Sequence, residues 1–261
     1  MSFLKLAWSF FRVGALNELQ YRVNFFIQLL QSLIAVAVGL IGLALVFSHT
    51  PDLAGWSRPE LLAVMGVYIL MGGLVRLTIQ PNMQRLMGDV REGTLDYVLT
   101  KPADSQVLVS VRELRIWQFV DVLTGAVVLG VAVTQLQAQV TIGQALAFTA
   151  ALLCGGLMLY AFWLILTTGA FWVVRMENIV ELFDGIYRAG QYPVGIYPDW
   201  LRAGLTFLVP VAFAVTVPAE ALTGRLTPAT LAGAAALAAG LLSAARWFWF
   251  FGLRHYSGAS A

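Results

Sequence analysis

Residues 24–47 read NFFIQLLQSLIAVAVGLIGLALVF, a continuous apolar run without one charged side chain. A helix of about 20 such residues crosses the roughly 30 Å of hydrocarbon in a bilayer. Outward from it, five more stretches meet the same condition: residues 59–79, 116–133, 142–174, 203–222 and 228–251. None alternates with a period of two, so they predict helices rather than barrel strands. A helix also closes its own backbone hydrogen bonds, which lipid cannot do for it. The fourth stretch is longer than a bilayer needs and is expected to tilt or to project. The fifth contains Pro210 and Pro218. The expected fold is therefore an all-α membrane protein, a single transmembrane domain of six spans over residues 1–261.

Composition agrees. Of 261 residues, 59% are hydrophobic and 11% charged, against about 45–50% and about 25% in soluble domains. A net charge of +2 is too small to point to nucleic acid. Cys154 is the sole cysteine, so no disulfide can form within the chain. The first apolar stretch lacks a small-residue cleavage site and runs on too far for a signal peptide.

With the N-terminus inside, only Arg58 and Arg225 of the 16 Lys and Arg residues fall in outer loops. That asymmetry predicts both termini in the cytoplasm and supports an even number of spans. Residues 1–23 differ from a span. Phe3, Leu4, Phe10 and Phe11 are interleaved there with Lys5, Arg12, Glu18 and Arg22. This reads as an amphipathic helix lying on the inner leaflet.

The inner loop at residues 80–106, QPNMQRLMGDVREGTLDYVLTKPADSQ, is the most informative. Pro81 is expected to stop the second span in its original register. Met83, Leu86, Met87 and Val90 then follow at helical spacing. Gly93 offers a break and Thr94 a cap. Leu95, Val98 and Leu99 form a short apolar stripe, and Lys101–Pro102 ends it. Asp104 or Ser105 can cap the next helix. Such a piece either inserts into a groove on a soluble partner or is an ordinary solvated loop. Pattern alone leaves both open.

The run from Arg91 to Pro102, REGTLDYVLTKP, resembles the coupling-helix region of ABC transporter permeases of the type 2 exporter class. It is most similar to the compact six-span bacterial branch. That branch also resembles this chain at Tyr192–Pro193, Ile196–Tyr197–Pro198, Pro210–Phe213 and Pro218–Ala219. The resemblance implies the permease subunit of an ATP-driven exporter in the bacterial cytoplasmic (inner) membrane, working as a dimer with an identical or related permease. ABC ATPase subunits would dock on the cytoplasmic face and carry ATP and Mg, leaving no cofactor on this chain. Arg91, Glu92, Gly93, Thr94, Leu95, Asp96, Lys101 and Pro102 would then form the docking site. The chain has no Gly-x-x-x-x-Gly-Lys-Ser/Thr loop, consistent with a non-catalytic subunit.

Residues 175–202 place Ile179, Val180, Leu182, Phe183, Ile186 and Tyr187 on an apolar stripe, which predicts an interfacial helix. A second ATPase contact is the rival reading. Pro218 and Glu220 suggest an outer gate, or simply a kink whose carboxylate reaches the headgroups. Asp121, Arg76 and Arg246 lie near inner ends, where they can snorkel. No chain of buried carboxylates suggests a proton relay, and His49 and His255 lack companions for a metal site. The spans offer mostly Thr, Gln and Trp rather than the Ser/His or paired Asp of an intramembrane enzyme, and the pathway is expected to be largely apolar and lined by small residues. An ion- or proton-coupled secondary transporter and a non-transporting scaffold remain as alternatives.

Overall fold

The computed structural model describes residues 22–136, 140–172 and 178–256. The amphipathic segment expected over residues 1–23 lies almost entirely outside them. Five helices are long and apolar enough to cross a membrane, and a sixth crossing is formed if one bent pair counts as a span. No strand occurs among the described residues. The chain is an all-α, multi-pass membrane protein.

Helix α1 spans Arg22–His49. Helix α2, Arg58–Leu74, begins with a capping box at Ser57 and Glu60, which satisfies backbone donors at its start. The second span does not end at Gln80–Pro81 as expected. A π-helical turn, Val75–Ile79, joins α2 to α3, Gln80–Glu92. The wide turn absorbs the missing N–H and the bulk of Pro81, which would clash in a regular helix. One helix of 35 residues results.

Two short helices follow, α4 at Asp96–Leu99 and α5 at Ser105–Ser110. The third span is α6, Phe119–Gln135, entered through a 3-10 turn at Ile116–Gln118. It crosses α2 closely. A Cβ on Gly125 would come within 2.4 Å of the Leu70 backbone, and one on Gly66 within 2.8 Å of Leu129. Small residues let backbones approach in this way. The fourth span is α7, Ile142–Thr168, and the sixth, α11, is Pro228–Leu253.

Between them the described residues form short helices and turns. Helix α8, Ile179–Tyr187, wedges between spans: Phe183 lies 4.9 Å from Trp163 of the fourth, and Tyr187 stacks at 5.0 Å on Tyr68 of the second. Its opposite face is open, with Leu182 64% exposed. Helix α9, Asp199–Ala203, and a π turn at Gly204–Leu208 lead to Pro210. A second π turn at Ala212–Thr216 leads into α10, Val217–Leu222. The two halves of this bent pair, Asp199–Leu208 and Ala212–Leu222, meet at 77°. The sharp kink falls where Pro210 removes a donor.

Candidate functional site: an elbow and a polar cleft

The elbow at the basic end is built from the close of α3. Gly93 takes the left-handed conformation, φ 70°, which a Cβ would strain. This turns the chain back so that Thr94 N–H and Leu95 N–H both donate to the Asp89 carbonyl, at 2.9 and 3.2 Å. The Thr94 hydroxyl donates to the Asp89 carboxylate at 3.1 Å, and Arg112 pairs with it at 2.5 Å. The returning chain is stitched to α3 beneath. Asn82, 1% exposed, donates to the Glu113 carbonyl at 2.8 Å and accepts from its N–H at 2.9 Å. Arg85 pairs with Glu113 at 2.7 Å.

The predicted docking residues divide by face. Leu95 is fully buried and Val98 nearly so. They hold the elbow against its own bundle. Gly93, Thr94 and Asp96 are half-buried, whereas Arg91, Glu92, Lys101 and Pro102 are exposed. Tyr97, which the sequence reading passed over, is 75% exposed at the tip. A four-residue helix with one face inward shows the other, and Tyr97 is what it shows.

The elbow is also tied to distant spans. Asp104 accepts from Val107 N–H at 3.2 Å as a helix cap, and Arg246 of the sixth span grips the same carboxylate at 2.5 Å. That guanidinium holds the Asp104 carboxyl below its ordinary value. Trp249 N–H donates to Ser105 at 3.2 Å, and Tyr160 of the fourth span meets Gln106 at 3.1 Å and Ser110 at 2.8 Å. Tyr256 sits close by; burial first, then the charges of Asp96 and Asp89, push its hydroxyl above the usual range.

Pro218 is buried at the far end, and Glu220 is half-buried. The bonds there go elsewhere: Arg225 pairs with Glu60 at 2.9 Å, lies over the Trp56 ring at 4.7 Å and donates to the Gly55 carbonyl at 2.6 Å. This fastens the loop after the fifth span to the start of the second.

A second feature is a partly polar cleft of about 430 Å³ between the first and second spans and residues 188–192. One face of α1 lines it: Gln28, Gln31, Ser32, Ala35, Gly39 and Leu43. Towards the basic end the walls are polar. Arg76 pairs with Asp121 at 3.0 Å and donates to Gln118 at 3.3 Å. Gln28 donates to Asp121 at 3.1 Å, and Gln118 donates back to Gln28 at 3.0 Å. Arg188 and Gln191 continue the wall, while Leu43, Met65 and Ile69 make the other end largely apolar, with the Tyr192 hydroxyl beside Gly42. Arg76 and Asp121 do not snorkel separately; they neutralise each other. The signal that could have found the cleft is the spacing of Gln28, Gln31 and Ser32 on one face of a span otherwise free of polar bulk.

The structure is an all-helical, multi-pass bundle with a capped, clasped elbow at its basic end. The ABC-2 family transporter protein model matches residues 33–260, and the chain belongs to that family. Neither a curated protein nor a solved structure matches it.

Proposed function

We propose that the chain is the permease subunit of an ATP-driven exporter in the bacterial inner membrane, with its basic end in the cytoplasm. A second permease chain completes the pathway, and separate ABC ATPase subunits bind ATP and Mg. The family carries an ABC ATPase partner in general. One observation carries the coupling role. The elbow exposes Arg91, Glu92, Tyr97, Lys101 and Pro102 on one side, and on the other it is pinned to the continuation of the second span through Asp89–Arg112, to the fourth through Gln106–Tyr160 and to the sixth through Asp104–Arg246.

A push on the exposed tip therefore reaches the bundle through short, directional contacts. ATP closes the ATPases and moves the tip. The permease shifts only by the difference in ATPase affinity between its two states. Nothing in this scheme needs a catalytic group on the chain.

Co-purification tests it. Full-length chain extracted from its native membrane is expected to retain an ATPase subunit in equal amount, with vanadate-sensitive hydrolysis. Recovery of the chain without any nucleotide-binding subunit, with solute uptake driven by an ion gradient alone, would move the reading to a secondary carrier. Recovery with soluble partners but no transport would make it a scaffold.

A further inference from the structure

The cleft beside the first span holds polar groups that the fold does not satisfy. Arg188 is exposed and lines it, and its guanidinium makes no hydrogen bond or close ion pair among the described residues. Asp184, on the preceding helix, attracts both Arg188 and Arg76 only at longer range. Gln31 and the Tyr192 hydroxyl also line the cleft with no hydrogen-bond partner among the described residues. Gln191 reaches only the Tyr68 hydroxyl, at a long 3.4 Å.

Arg188 is exposed, so its guanidinium stays available to a ligand that supplies acceptors. Arg76 does not compete for that ligand, because Asp121 and Gln118 already hold it. The planar guanidinium of Arg188 suits phosphate or carboxylate, which it grips through two parallel N–H bonds. The other end of the cleft is mostly apolar: Ala35, Gly39, Leu43 and Met65 line it, with the Tyr192 hydroxyl beside Gly42 as its one polar group among those named. Its volume of about 430 Å³ is within the roughly 300–1,000 Å³ of small-molecule pockets. There is room for a head and a single chain.

We propose that this cleft binds an anionic amphipath, its phosphate or carboxylate held by Arg188 with Gln31 and Gln191, and its hydrocarbon chain laid along Ala35, Gly39 and Leu43. The head enters from the basic end and the chain points towards the far end, the orientation of a molecule rising from the leaflet on that side. That the bound molecule is cargo rests on the exporter reading; the binding does not.

The test uses full-length chain in phosphatidylcholine nanodiscs and a dodecyl phosphate bearing a diazirine on its chain. Light-induced adducts are expected on peptides containing Ala35–Leu43 and Met65–Ile69. Unlabelled dodecyl phosphate should compete, whereas dodecyltrimethylammonium and inorganic phosphate should not. Arg188→Gln should lower labelling about ten-fold, the loss expected for one charged hydrogen-bonding contact, while Arg188→Lys should retain most of it. Arg188 is exposed, so both variants should elute as the parent does.

Equal competition by the cationic amphipath, or labelling indifferent to Arg188→Gln, would overturn the assignment. Competition by inorganic phosphate as strong as by dodecyl phosphate would assign the site to a free anion and overturn it as an amphipath site. Absence of adducts, as when a second permease chain fills the cleft, would overturn it too. A chain that retains its ATPase yet fails to label removes this inference alone. One that labels but holds no ATPase upholds the binding and removes the role of the ligand as exported cargo.

Discussion

At the scale of single residues, the elbow separates side chains that hold it from side chains that it shows. The run from Arg91 to Pro102 was legible as a motif, but its apolar stripe of Leu95, Val98 and Leu99 gave no sign of which way it faced. A stripe at helical spacing packs equally well on a partner or on its own bundle. Leu95 is fully buried, so Leu95→Asp places a charge where nothing can pair it. That change costs several kcal/mol, on the order of 3 or more. We expect a lower melting temperature and poor recovery, not a folded but uncoupled chain. Tyr97→Ala removes a side chain that is 75% exposed and should leave stability within about 0.5 kcal/mol. It should nevertheless weaken ATPase retention. Thermal melts and pull-downs on both variants check the contrast; normal ATPase retention by Tyr97→Ala would place docking elsewhere.

Asp104 adds a pH dependence. Arg246 holds its carboxyl below the ordinary value, so the folded chain binds that proton less readily than the unfolded one. The stabilisation is present above the unfolded carboxylate value of about 3.9 and is lost as pH falls through the lower folded value. The pair is partly solvated, 43% and 35% exposed, which limits it to about 1 kcal/mol or less. Melts between neutral and strongly acidic pH should show a shallow loss at the acid end that Asp104→Asn reduces. An identical acid profile for Asp104→Asn would exclude the contribution.

At the scale of elements, three prolines share one arrangement. Pro81, Pro210 and Pro218 each follow a π-helical turn, at Val75–Ile79, Gly204–Leu208 and Ala212–Thr216. The sequence marks the prolines but not the turns, so Pro81 reads as a stop although the helix runs on to Glu92. A π turn inserts one extra residue per hydrogen-bonded ring and lets the helix pass Pro81 and Pro218 with its donors otherwise satisfied, whereas at Pro210 the helix ends at Leu208 and Val209 is extended. It also stores a register that a regular helix would not keep. Pro81→Ala restores the missing N–H and removes the ring, so the turn can relax to α geometry and rotate α3 under the elbow. We expect the variant to insert and melt at or above the parent temperature while ATPase activity no longer responds to the permease. Unchanged coupling in reconstituted vesicles would show that the π turn is a packing device only.

At the scale of the whole molecule, the spans were legible because hydropathy is a property of one segment at a time, whereas the cleft joins four. Gln28, Arg76, Gln118 and Asp121 look unrelated along the chain and become one network only after folding. That network explains how the first span is held at all. Most of its surface faces outward, with Phe26, Leu30, Val38 and Ile41 each more than half exposed. Lipid is as apolar as leucine, so apolar contact alone does not draw helices together, and polar bonds worth about 0.6–2 kcal/mol each do. The first span keeps the Gln28 bonds, a ring contact of 5.8 Å between Phe25 and Trp117, and a close approach at Gly39, where a Cβ would come within 2.6 Å of Met65. Gln28→Leu leaves the span more hydrophobic, so insertion should persist while the seat is lost. The paired substitutions Gly39→Cys and Met65→Cys, in a Cys154→Ser chain, report that seat through oxidative cross-linking in intact membranes. The yield should fall several-fold when Gln28→Leu is added, and again with Asp121→Asn, although total inserted protein stays level. A yield indifferent to both changes would mean that the first span is seated by small-residue packing at Gly39 and not by the polar cluster at the other end of the cleft.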